Sequence, residues 1–226
     1  MAGFGAFGKI PATGDFIRYG LAQPFLLAWD RWLQEAMSQA RGQLGGGWQD
    51  CYFAAPIWRF TLSSGQAGQT GMIGVMMPSL DRVGRQFPLT LAAPLLSPQP
   101  VAQLHFEARH TFEQLEAIAL AVLDDMPLER LRQQLASLRP VEPCTRIRIR
   151  SVAAARSLVA RMDSGDDPVG LCGARTLTAS FRAPGVWSAH LAQDTRLLVC
   201  EGLPRGEEIT GLFNSDAPIW QAGAVA

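Results

Sequence analysis

The sequence predicts an α/β fold, a layered α-β-α sandwich around a mixed, partly antiparallel central sheet. Three observations predict it. Two long stretches, Leu21–Leu44 and Val101–Asp125, carry apolar residues at three- and four-residue steps, the spacing of an amphipathic helix. Between them lie shorter apolar or alternating runs at 57–63, 72–77 and 88–96. The first two runs are joined by the polar, glycine-rich SSGQAGQTG (Ser63–Gly71), a hairpin connection, so the sheet is not wholly parallel. Long helices on either side of such a sheet give it two covered faces.

Taken in order, Gly3–Ile10 alternates Phe4, Ala6 and Gly8 against Gly5 and Phe7, a short first strand ending at Pro11. PATGDFIRYG (Pro11–Gly20) reads as a loop, with turn chemistry at Thr13-Gly14-Asp15 and with Phe16 and Ile17 anchoring it to the core. Leu26, Trp29, Leu33, Ala36, Met37 and Ala40 form the buried face of the first helix, which Gly45-Gly46-Gly47 ends. Trp29 and Trp32 roughly share a face and read as an aromatic stripe under the sheet. Trp48–Pro56 reads as a connector with Tyr52 and Phe53 buried. Ile57–Ser63 sets Ile57, Arg59 and Thr61 against Trp58, Phe60 and Leu62, a half-buried strand.

The stretch GVMMPSLDRVGRQFPLTL (Gly74–Leu91) organises the chain: two apolar runs bracket a charged loop that contains Gly84. A loop fixed at both ends by buried strands holds its polar groups in place. Val101–Asp125 reads as one helix, and Leu128, Leu131, Leu135 and Leu138 as a shorter one stopped by Pro140. Arg146, Arg148 and Arg150 alternate with Ile147 and Ile149, a strand with a cationic face of the kind that protects a sheet edge. Further on, Ser151–Met162 reads as helix and Asp163–Gly173 as loop. Leu177–Arg182 and Thr195–Glu201 read as strands with Pro184–Trp187 between them, and Gly206–Phe213 as a short helix. There is no repeat and no low-complexity linker, so 1–226 is expected to be a single domain.

Composition narrows the function. The 226 residues are 48% hydrophobic with a net charge of +0, enough to bury a core without disulfides and no long-range field for nucleic acid or acidic lipid. No apolar run approaches the ~20 residues of a membrane span. The N-terminus has no basic segment followed by a long apolar one, so a cytoplasmic location is expected. Cys51, Cys144, Cys172 and Cys200 stand at no metal-ligand spacing and are expected to be free thiols, mostly in the core; neither a metal nor a cofactor is expected.

Catalytic motifs are missing. Ser79 lies two residues from Asp81, but there is no G-x-S-x-G, and His105, His110 and His190 are placed by no motif. The five-residue step from His105 to His110 puts the two rings on different faces of a helix. The glycine-rich FGAFG and GQAGQTG match neither phosphate-binding pattern. Residues 139–161 hold six arginines against one acid, Glu142, but lack the aromatics that stack bases, and read as a solvated edge.

What remains is a polar set in two loops: Lys9, Asp15 and Arg18 in the first, Asp81, Arg82 and Arg85 in the second. Lys9 is the single lysine beside 19 arginines, and the two cations are not interchangeable at a tight site. If the loops meet, the set is either an ion-pair network that pins them or a partner-docking surface, since arginines beside aromatic anchors are typical of binding hot spots. An open cleft lined by these side chains would instead mark a small-ligand or hydrolytic site.

Four motifs occur in order: FGKIPATGDFIR (Phe7–Arg18), WDRWL (Trp29–Leu33), APIWRF (Ala55–Phe60) and PSLDRVGRQFPL (Pro78–Leu89). Together they resemble the TagF (ImpM) family of type VI secretion proteins, densely over about the first 95 residues and within a motif-bearing part of about 1–138. The remainder, about 139–226, is similar more loosely, through VCEGLPRGEEITGLF (Val199–Phe213). The resemblance implies an α/β sandwich and a cytoplasmic, non-enzymatic repressor that acts post-translationally by binding the forkhead-associated scaffold protein of the secretion system. It also implies a functional link to the threonine kinase and phosphatase that control that system. It carries over no catalytic residue; on composition and hydropathy, neither a nucleic-acid partner nor membrane insertion is expected.

Overall fold

A computed structural model describes residues 3–221 except 97–99, 140, 142–148, 153–156 and 161–167. In chain order the strands are β1 (Gly5–Gly8), β2 (Ile17–Tyr19), β3 (Trp58–Leu62), β4 (Met72–Met77), β5 (Leu89–Pro94), β6 (Ile149–Val152), β7 (Ser157–Ala160), β8 (Pro184–His190) and β9 (Thr195–Glu201). The helices are α1 (Gln23–Leu44), α2 (Trp48–Ala54), α3 (Val101–Glu107), α4 (Arg109–Leu123), α5 (Leu128–Ser137), α6 (Pro168–Ser180) and α7 (Glu207–Phe213).

Seven strands form one sheet in the order β2-β1-β5-β4-β3-β8-β9. The layered α/β sandwich is as the sequence predicts. The sheet goes further than the mixed one expected, because all six of its strand pairings are antiparallel. Alternation along each strand sorts the core into two layers. Ala6, Ile73, Val75, Leu89, Leu91 and Val186 face α3, α4 and α5. Phe7, Trp58, Phe60, Met76 and Trp187 face α1, α2 and α7.

The aromatic stripe of α1 lies under the sheet. Trp29 is fully buried, its ring 4.7 Å from Trp32 and 6.0 Å from Trp187 of β8, with which it stacks. Its indole N–H donates to Thr90 Oγ1 at 2.9 Å, while that of Trp32 donates to the Pro204 carbonyl at 3.0 Å. Buried indoles with satisfied N–H groups fix the height of α1 over the sheet.

Several local expectations are corrected. The connector after α1 is helix α2, with Trp48 and Tyr52 buried four residues apart, while Phe53, expected to be buried, is half exposed because it lies one step round the helix from Tyr52. The helix expected over 101–125 breaks at Ala108 into α3 and α4, so that α3 leans on β3 and β8 while α4 leans on β4 and β5. The helix expected over 151–162 is, in its described parts, an antiparallel pair of β6 and β7 with Ile149 opposite Ala160; Ile149, Val152 and Val159 suit strands better than helix. The loop expected over 163–173 and the strand over 177–182 give way to α6, in which Pro168 occupies the first position, where its missing N–H costs nothing. A run as short as Leu177–Arg182 does not distinguish strand from helix by pattern. Pro184–Trp187 is not a connection but the start of β8. Arg146 and Arg148 of the expected cationic strand lie outside the described residues. Of the three described cysteines only Cys200 is buried, so the thiols are not mostly in the core.

Candidate functional site

The polar set gathers at one end of the sheet. The end of β1, the start of β2, the end of β4 and the start of β5 all lie there, because β5 runs antiparallel between β1 and β4. The loops 9–16 and 78–88 therefore leave the sheet side by side, although β1 and β4 are not themselves neighbours. Gly8 is required at this crossing: it adopts φ +127°, and a Cβ there would collide with the Pro88 carbonyl oxygen.

Asp81 is the hub. It is 0% exposed, and its Oδ1 accepts the Val83 N–H at 3.1 Å and the Arg85 N–H at 2.9 Å. Its Oδ2 meets Lys9 Nζ at 3.0 Å and Arg85 Nε at 2.7 Å. Burial alone would raise its pKa. The Arg85 N–H, the Lys9 ammonium, the Arg85 guanidinium and the Val83 N–H outweigh burial and hold the carboxyl well below the usual carboxylate range.

The loops are also tied through backbone. Arg82 N–H donates to the Thr13 carbonyl at 2.8 Å, and Arg85 Nη2 to the Gly14 carbonyl at 2.6 Å. Ser79 Oγ donates to the Lys9 carbonyl at 2.8 Å. Tyr52 of α2 donates its hydroxyl to the Ser79 carbonyl at 2.7 Å and accepts the Ser79 N–H at 3.0 Å. Burial pushes the Tyr52 phenol above its ordinary range, which the Ser79 bond and Arg41 offset only in part, so it serves as a neutral donor.

Of the six residues singled out in the sequence, the structure brings Lys9, Asp81 and Arg85 into direct contact. Arg82 joins through its backbone, and its exposed guanidinium lies over Gly14. Asp15 turns its carboxylate to the N–H of its neighbour Phe16 and stays outside the network. Arg18 lies on the edge strand β2, exposed. Lys9 is 6% exposed and sits 5.1 Å from the centre of the Phe16 ring. The two innermost charges are buried and paired with each other, the opposite of the open cleft that a small-ligand or hydrolytic site would require.

A second buried polar group escaped the sequence reading. Arg59 of β3 forms a two-point ion pair with Glu116 of α4, both bonds at 2.7 Å. Beside it, His105 Nδ1 is 3.0 Å from Thr61 Oγ1 and Nε2 is 2.8 Å from Ser188 Oγ. Burial, then Arg59 and His190, push the His105 pKa down to about 3, so the ring is neutral. The half-buried strand expected over 57–63 is buried on both faces. Arg59 and Thr61 alternating in an otherwise apolar strand were the available signal that polar partners wait above it.

The family model described as TagF N-terminal domain, type VI secretion system-associated, matches residues 5–138. The chain belongs to the TagF family. Both loops of the Asp81 network fall within the matched part, whereas β8 and β9 of the same sheet lie beyond it. Among solved structures, this TagF chain is similar to PA0076 from Pseudomonas aeruginosa PAO1, a crystal structure at 2.05 Å, with 30% identity, a TM-score of 0.76 and 94% of each chain covered. At that identity the two are relatives and different proteins. No curated protein matches the chain. The TagF assignment makes this a type VI secretion-associated protein. Among the described residues, no helix is long and apolar enough to cross a membrane.

Proposed function

We propose that this TagF chain is a cytoplasmic, non-enzymatic regulator that represses type VI secretion after translation by binding the forkhead-associated scaffold protein of the system. The observation that carries this reading is the Asp81 network within the family-matched region. Its titratable groups are committed to one another and to backbone, which leaves them to shape a surface rather than to move protons or bonds. The reading includes a functional link to the threonine kinase and phosphatase that control the system. Residues 1–226 function as one unit, since β8 pairs with β3 of the family-matched part.

The test is twofold. The purified chain titrated with the purified scaffold by calorimetry is expected to bind; no heat at high micromolar concentration speaks against the reading. In the bacterium, excess chain is expected to lower secretion of a type VI substrate without changing the amount of secretion proteins. Unchanged secretion would overturn repression.

A further inference from the structure

The buried network ends in an exposed tip. Val83 is 68% exposed, the most exposed large apolar side chain among the described residues, and it stands between the exposed Arg82 and Arg85. Its backbone is nevertheless held on every side. Asp81 Oδ1 accepts its N–H, Gly84 turns the chain at φ +86° and returns its N–H to the Asp81 carbonyl at 2.9 Å, and Arg82 is tied to Thr13. An apolar side chain fixed in water by buried charges gains nothing for the isolated chain. Fixed in advance, it loses little freedom on meeting a partner, which is what makes a contact strong.

Charge says what kind of partner. The two loops carry three cations, Lys9, Arg82 and Arg85, against two carboxylates. Asp81 is turned inward and Asp15 is occupied with Phe16 N–H, so Arg82 has no carboxylate partner among the described residues. The Phe16 ring is engaged edge-on with Phe87 at 4.7 Å and is not a free platform for a base.

We infer that the Arg82–Val83 tip is a docking point for a protein segment that offers an apolar slot bordered by carboxylates. Val83 enters the slot, Arg82 and Arg85 meet its rim, and Asp81 and Lys9 act as positioning residues that touch no partner. The inference rests on the reading above that the chain works by binding protein, and adds where it binds and to what chemistry.

Position 83 is replaced by the photo-cross-linking residue p-benzoylphenylalanine in the full chain, in the bacterium that makes it, with Phe53 and Leu120, 50% and 54% exposed, replaced likewise as controls. The expected result is a protein adduct from position 83 well above both controls, mapped to an acidic segment with apolar residues. Adding Arg82→Glu, checked to melt like the parent, is expected to cut that adduct about ten-fold. An adduct on the type VI scaffold sustains both readings. An adduct on an unrelated protein at such a segment sustains the tip and overturns the scaffold. No adduct above the controls, or one on a basic or uncharged segment, a second copy of this chain, nucleic acid or lipid, overturns the tip. Scaffold adducts from a control position instead overturn the tip and leave the repressor standing.

Discussion

The two buried polar groups of this sandwich are built from similar parts and end differently. At the end of the sheet, Lys9, Asp81 and Arg85 join two loops, and the chain of charge continues outward to side chains in water. In mid-sheet, the Arg59–Glu116 pair and the Thr61–His105–Ser188 row join the α3–α4 layer to β3 and β8, and these side chains pair with one another. Both fix geometry, but only the first has anything left to offer another molecule. A buried ion pair is weak evidence for stability and better evidence for position, and what it positions decides whether it matters beyond the fold.

The comparison breaks most readily at Asp81. Asp81→Ala strands the Lys9 ammonium in a buried site, and the thermal midpoint is expected to fall by about 10 °C. Adding Lys9→Met should recover a large part of that loss, because the cost lies in the uncompensated charge. A near-neutral single variant in a thermal melt would mean the network does not hold the loops.

The mid-sheet pair is next in size. Glu116→Ala leaves Arg59, 7% exposed, without its carboxylate, and is expected to cost about 2–3 kcal/mol in a urea melt. The loss is smaller than for a sealed pair because the Glu116 side chain is 21% exposed and water can reach the vacated edge.

Titration sharpens the contrast. Between about pH 6.5 and 3, His105 binds a proton in the unfolded chain that the folded chain refuses, so its contribution falls as pH falls through that window and is constant above it. The expected loss between pH 7 and pH 5 is about 2 kcal/mol, and His105→Gln should flatten the stability curve by that amount. Asp81 behaves otherwise. Its carboxyl is depressed in the fold, so its contribution persists down to its ordinary value of 3.8 and fades only below it. A curve for His105→Gln that still drops between pH 7 and 5 by the parental amount would remove His105 as the cause.

The smallest expected effect is at the tip. Val83→Asp touches nothing buried and should change stability by less than about 0.5 kcal/mol in a urea melt. A larger loss would mean that Val83 supports its own loop.

Much of this was legible in the sequence where the pattern is long or the chemistry unusual. The apolar face of α1, the β3–β4 hairpin and the bracketed Asp81 loop follow from spacing and turn residues alone. The pairing of Lys9 with Asp81 needed two loops that are distant in sequence to meet, and no local pattern encodes that β5 lies between their strands. His105 looked idle because its partners, Thr61 and Ser188, come from strands on either side of it in sequence. The misread segments lie mostly after residue 140, where short runs such as Leu177–Arg182 carry no period long enough to choose between helix and strand, and tertiary placement decides.

The joining of β8 to β3 has a consequence during synthesis. Ser63 meets Pro184 across a sequence separation of 121. At ordinary elongation rates the ribosome needs roughly 10 s to make that stretch. Until it does, the nascent chain exposes one bare flank of β3, and Trp29 and Phe60 await the indole that will close over them. A polypeptide released early, just past the family-matched region, would keep that flank open to strands from other molecules.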